Sequence, residues 1–115
     1  MQSILAKLNK CPGVLGSLVV NKDGIVVASE LRVELDEKGI GAVSSSILAA
    51  LDGAVRHVQI GKMKRFVIGG SENKIAIVDT GPALLLILMD REANMGMVNV
   101  GVKVAESEVV AKAKM

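Results

Sequence analysis

The stretch Val14-Leu15-Gly16-Ser17-Leu18-Val19-Val20-Asn21-Lys22-Asp23-Gly24-Ile25-Val26-Val27-Ala28-Ser29-Glu30-Leu31 decides the architecture. Two aliphatic runs, Val14–Asn21 and Ile25–Leu31, flank Lys22-Asp23-Gly24. Branched side chains suit a pleated, half-buried surface, and Asp-Gly supplies the positive φ angles that a tight reversal between antiparallel strands needs. The stretch predicts a β-hairpin.

Upstream, Ile4, Leu5 and Leu8 fall on one face of a short helix over residues 2–9, with Ser3 as a candidate cap. Cys11-Pro12-Gly13 ends it, because proline disfavours helical geometry in the residue before it. Downstream the period changes. From Asp36, apolar residues recur at spacings of three and four (Ile40, Val43, Ile47, Leu51, Ala54, Val58), which predicts a helix of about six turns. Asp36 and Glu37 favour its positive N-terminal end, and Gly61 is the expected stop.

Three more strands follow, Arg65–Gly69, Ile75–Asp79 and Ala83–Met89, separated by the turns Gly69-Gly70-Ser71-Glu72-Asn73 and Thr80-Gly81-Pro82. Ala83–Met89 is apolar at every position, so both faces should be covered and the strand should lie centrally in the sheet. The C-terminal stretch reads two ways. Val98, Val100, Val102 and Val104 alternate like a strand, while Met95, Val98, Val102, Ala105 and Val109 make a helical face. The Ala, Glu and Lys content of residues 105–114 favours helix. The expected fold is α+β in the order α-β-β-α-β-β-β-α. It is one domain over residues 1–115, with a five-stranded, mostly antiparallel sheet, the long helix on one face and the terminal helices on the other.

Composition narrows the function. Of 115 residues half are hydrophobic, yet only Phe66 is aromatic, so aliphatic side chains must fill the core. A mean hydropathy of +0.47 is high for so small a soluble monomer and points to apolar surface covered by another chain. A net charge of +2 does not suggest a nucleic-acid partner. One cysteine, Cys11, and one histidine, His57, exclude an intramolecular disulfide and most metal sites, so neither metal nor cofactor is expected. The lysines within the first ten residues are unlike a signal peptide, and no apolar run approaches the ~20 residues of a membrane span. A cytoplasmic protein with no membrane insertion is expected.

The most chemical-looking motif is Ile77-Val78-Asp79-Thr80-Gly81, which resembles the active-site loop of retroviral-type aspartic proteases. Those enzymes pair two such loops so that two carboxylates share a proton. The layout argues otherwise: the Gly-Gly hairpin precedes Asp79, and the chain after it includes a helix-like tail. Asp-Thr-Gly is also ordinary turn chemistry. There is no Gly-x-x-x-x-Gly-Lys-Ser/Thr loop for nucleotide phosphates. Cys11 reads as a half-buried structural residue, the lone His57 as a carbonyl cap or partner contact near the end of the long helix, and Lys62, Lys64 and Arg65 as a solvated edge.

One feature rises above this background. Gly41, Ser45 and Ala49 form a stripe of small side chains along the long helix, away from its Ile40/Val43/Ile47/Leu51 face. Glycine costs about 1 kcal/mol relative to alanine inside a helix, so Gly39 and Gly41 imply a packing reason. The stripe is expected to let the helix pair closely with its symmetry mate, closed two-fold homodimers being the commonest assembly; the alternative is cover by the protein's own loop.

Gly13-Val14-Leu15-Gly16-Ser17-Leu18-Val19-Val20 followed by Lys22-Asp23-Gly24-Ile25-Val26-Val27-Ala28-Ser29 resembles the opening of roadblock/LC7 domains. Ser44-Ser45-Ser46-Ile47-Leu48-Ala49-Ala50-Leu51 is similar to the family's second helix, and Asn94-Met95-Gly96-Met97-Val98 to the start of its last. The tail departs from the pattern, with Asn99, Val100, Gly101 and Val102 where members often carry Arg and Leu. The resemblance implies a homodimer, or a higher oligomer built from it, whose second strands (here Ile25–Leu31) pair edge to edge and whose second helices (here Ile40–Val58) lie side by side. On that reading Ile25, Val26, Val27, Ala28, Ser29, Gly41, Ser45, Leu48 and Ala49 serve the dimer. It implies no catalysis. The partner implied is a Ras-like small GTPase of the MglA type, with Lys38, Asp52 and Arg56 as contacts; the alternative is a scaffold for motor or signalling complexes.

Overall fold

The computed structural model describes residues 1–31, 36–61 and 64–113. Its elements are α1 (Gln2–Leu8), β1 (Val14–Val20), β2 (Val26–Leu31), α2 (Glu37–His57), β3 (Arg65–Gly69), β4 (Asn73–Asp79), β5 (Leu84–Asp90) and α3 (Met95–Ala113). The sheet runs β2-β1-β5-β4-β3 and every pairing in it is antiparallel. The expected order of elements holds, and so does the central place of the all-apolar strand.

Strand alternation splits the core into two layers. On β5, Leu84 and Leu86 face α2, whereas Leu85, Ile87 and Met89 face α1 and α3. All five are fully buried, which only a strand covered on both faces can achieve. Helix α1 has no side-chain cap, and Ser3 lies inside it rather than at its start. So short a helix is held by burial, since Ile4, Leu5 and Leu8 each contribute about 1.5–3 kcal/mol when removed from water. The polar pair beneath it is satisfied: Ser17 Oγ donates to Asn9 Oδ1 (2.8 Å), and Asn9 Nδ2 donates to the Glu30 carbonyl (2.9 Å).

The ambiguous C-terminal stretch is helical. Val98, Val102, Ala105 and Val109 are buried on the sheet, and the intervening valines Val100 and Val104 point to solvent. The other long helix, α2, starts at Asp36, whose carboxylate accepts the Gly39 N–H (3.1 Å). It ends at His57, short of the expected stop at Gly61. Gln59 takes a left-handed conformation (φ 62°), which a helix cannot continue through.

The hairpin is a three-residue loop. Gly24 carries the positive φ (87°), and Asn21 closes the turn: its Oδ1 accepts the N–H groups of Asp23 and Ile25, each at 3.0 Å. Past the loop, Val20 pairs with Val26 but Val19 pairs with Ala28, leaving Val27 as an extra residue in a β-bulge.

Candidate protein-interaction site

The small-residue stripe is the natural starting point, and the structure turns most of it inward. Gly41 is buried against the hairpin: a Cβ built there would lie 2.7 Å from the Gly24 carbonyl oxygen and 3.3 Å from Val26. Four residues on, Ser45 Oγ donates to the Lys22 carbonyl (2.8 Å). Ser29 Oγ donates to Glu37 Oε2 (2.9 Å), a third tie between hairpin and helix. Of the two readings of the stripe, Gly41 and Ser45 follow the protein's own loop, because backbone meets backbone there within one chain. Leu48 and Ala28, also expected at a dimer contact, are buried in this chain's core. Ala49 is exposed, and Val26 and Ser29 are half-buried.

Ile25 and Val27 remain open to solvent, at 63% and 55% exposure, along a shallow groove of about 580 Å³. The strand edge beside them is guarded, however. The bulge at Val27 breaks the ladder, and α1 packs against β2. Asn9 holds the Glu30 carbonyl, and the Gln2 amide nitrogen, in the orientation that satisfies both its ends, reaches the Ser29 carbonyl (3.0 Å). Successive carbonyls of a strand point to opposite edges, so one of these two bonds occupies the outer edge. Bulges and plugged groups are devices that block strand addition.

The opposite edge has neither device. β3 pairs with β4 alone in an unbroken register, and Val67 and Ile68 are exposed on it. Between β3, β4 and α2 runs an apolar groove of about 400 Å³, lined chiefly by Ile40, Val43, Ile47, Ile68, Ile75 and Ile77. Asp36 is the one charged residue in its lining among the described residues. Val43 is 57% exposed. The periodicity of α2 places Ile40, Val43 and Ile47 correctly on one face, but that face overhangs the sheet instead of being filled by it. Excess hydropathy with almost no aromatic residues was the signal in the sequence.

The three residues expected to contact a GTPase do not meet. Asp52 and Arg56 form an ion pair one turn apart (3.0 Å) and line a cleft of about 250 Å³ with Lys22, Ala49 and Asp79. Lys38 is exposed near the other end of α2, about 21 Å away along the axis at 1.5 Å per residue. Asp79 itself is a turn residue. Its Oδ1 accepts the Gly81 N–H (2.9 Å) and Lys22 Nζ (2.6 Å), and Thr80 Oγ1 donates to the Ala83 carbonyl (2.7 Å). Asp79→Asn should therefore change stability by no more than about 1 kcal/mol, since the turn bond survives and Lys22 is partly solvated. Thermal denaturation checks this, and a larger loss would show that the ion pair fastens the hairpin.

Of the basic edge cluster, Lys64 and Arg65 are exposed, with Arg65 Nη1 donating to Asn99 Oδ1 (2.8 Å); Lys62 lies outside the described residues. No group of three or more metal-binding side chains occurs among the described residues, and no described helix is long and apolar enough to cross a membrane.

Comparison with known proteins places this geometry. The profile described as Roadblock/LC7 domain matches residues 2–89. An uncharacterized protein of Methanocaldococcus jannaschii is 33% identical over 108 residues, covering 94% of this chain and 95% of the relative. Among solved structures, a Roadblock/LC7 domain from Streptomyces avermitilis superposes with a TM-score of 0.90 at 16% identity, covering 100% of this chain and 98% of that one. MglB of Myxococcus xanthus superposes with a TM-score of 0.91, also at 16% identity, over 98% of this chain and 86% of its own. At these identities the two structures speak for the fold.

Proposed function

The chain belongs to the Roadblock/LC7 domain family, and on that premise we propose that it is a cytoplasmic, non-catalytic homodimer that binds a Ras-like small GTPase of the MglA type and modulates its nucleotide cycle. The observation that carries the reading is the open groove beside an unguarded strand edge. A second copy related by a two-fold axis would pair β3 with its own β3, extend the sheet, and fill the Ile40/Val43/Ile47/Ile68 groove with the same residues from its mate. We place the contact at β3 instead of at Ile25–Leu31 because the bulge and the plugged edge of β2 oppose strand addition there.

An edge-to-edge pair keeps both copies of α2 on one face. Their outer surfaces are built of small side chains, Ala42, Ser46, Ala49, Ala50, Gly53 and Ala54, all exposed. This makes a platform without deep relief, suited to holding another protein. Asp52 and Arg56 at one end and Lys38 at the other are the proposed polar contacts. Such a platform would act by favouring one conformation of the GTPase's mobile segments over another, a population shift that needs no catalytic group from this chain.

The test is nucleotide release and single-turnover hydrolysis by an MglA-type GTPase, with and without this protein. A change of at least about fivefold in either rate is expected, the lower range of ordinary coupling energies. Unchanged rates together with stable complexes of other proteins would favour the scaffold reading instead.

A further inference from the structure

The face opposite α2 has a second unexplained surface. Helix α3 is apolar on both sides: Val98, Val102, Ala105 and Val109 are buried on the sheet, while Met97, Val100 and Val104 stand 51%, 67% and 53% exposed. Those three lie within one narrow arc of the helix at spacings of three and four, so they form a continuous ridge. A helix that is apolar all round is ordinarily covered all round. The α2–β3 groove lies on the other side of the sheet, so the proposed dimer leaves this ridge bare.

Charge identifies what could cover it. Among the described residues of the two helices and the turn after α1, the basic side chains are lysines: Lys10, Lys103 and Lys112 are exposed, and Lys7 is solvated beside Glu108. Against them stand Glu106 and Glu108, both half-buried, with Glu108 paired to Lys7 at 3.5 Å, and the exposed Glu30, whose carboxylate meets the Gln2 amide of α1. Four exposed lysines thus stand against three acids, and the layer keeps a net positive charge. It has no Trp or Tyr to concentrate affinity in a protein–protein contact, and Arg65, which reaches it from β3, is tied to Asn99 Oδ1 (2.8 Å). Lysines on flexible stems around a modest aliphatic ridge suit a surface whose charges are also mobile.

We propose that the α1–α3 face docks reversibly on an anionic membrane surface, with Met97, Val100 and Val104 entering the headgroup boundary and Lys10, Lys103 and Lys112 meeting lipid phosphates. Nothing spans the bilayer, and α2 stays turned to solvent, able to hold a partner while the protein is docked. One chain carries the whole surface. In an edge-paired dimer two such faces lie side by side, which strengthens docking without being required for it.

Flotation with vesicles tests this, using phosphatidylcholine alone and phosphatidylcholine mixed with phosphatidylglycerol. Binding is expected to the mixed vesicles only, and to be lost as salt is raised. Lys103→Gln and Lys112→Gln should each lower partitioning roughly fivefold, at about 1 kcal/mol per lysine near the surface. Val100→Ser with Val104→Ser should lower it further without shifting the melting temperature. Failure to bind mixed vesicles, or equal binding to neutral ones, overturns the proposal. So does a fall in molecular mass for the Val100/Val104 variant, which would mean that a second copy covers the ridge. A dimerisation variant changes mass but retains weaker flotation, so the two readings fail separately.

Discussion

Replacing Val43 with glutamate should split the proposed dimer into single 12.0 kDa subunits at micromolar concentration, read by light scattering after gel filtration. Val43 is 57% exposed in the lone chain, so the substitution should change subunit stability by no more than about 0.5 kcal/mol. In the pair the same carboxylate would be enclosed in an aliphatic groove whose only charged neighbour among the described residues is Asp36, of the same sign. A buried charge without a counterpart costs about 3–5 kcal/mol, which raises the dissociation constant by roughly a hundredfold or more. Val27→Glu, on the guarded edge, should leave the mass unchanged. The reverse pattern would return the contact to Ile25–Leu31, and an unchanged mass in both variants would remove the edge-paired dimer altogether.

The second large effect sits inside one subunit. Gly41→Ala should destabilise the fold by about 1–3 kcal/mol, because the new Cβ would press on the Gly24 backbone oxygen at 2.7 Å and only a shift of helix or hairpin relieves it. Gly53→Ala makes the same chemical change twelve residues along the same helix, where, its own turn of backbone aside, no described atom lies within 4 Å of the added carbon. It should stabilise the subunit by up to about 1 kcal/mol through helix propensity alone. Urea denaturation at one fixed protein concentration compares them, since dimerisation would otherwise shift both midpoints. Equal effects of the same sign would show that α2 does not rest on the hairpin as described.

This pair of glycines also marks the limit of reading such a chain from sequence. Periodicity located α2 and the strands because an apolar side chain every two or every 3.6 residues reports which way the local backbone turns. An unbroken apolar run put Leu85, Ile87 and Met89 in the centre of the sheet, since both faces of such a strand must be covered. Spacing alone does not say whether a small residue admits a neighbouring hairpin, as Gly41 does, or merely faces water, as Gly53 does. That depends on contacts between segments far apart in the chain. The α3 ambiguity has a similar origin, since valine at every second position satisfies both periods. What distinguishes them is that Val98, Val102, Ala105 and Val109 together match the spacing of a helix lying on a sheet. The apolar groove was foreshadowed only as a surplus of hydropathy; its location between α2 and β3 needed the strand order, in which β3 is an edge. The bulge was hidden too, because nothing in Ile25-Val26-Val27-Ala28 announces that Val27 falls out of register.

That single displaced valine bears on how far assembly can proceed. With β2 bulged and plugged at one margin and β3 open at the other, the two ends of the sheet are unlike. A subunit able to join through one margin only reaches completion with its first mate and has nothing left to offer a third. Two open margins would instead let subunits add head to tail into filaments of indefinite length. On the proposed edge-paired assembly, Val27 would act as a chain terminator, setting a finite stoichiometry for a molecule whose aliphatic composition would otherwise favour endless ribbons.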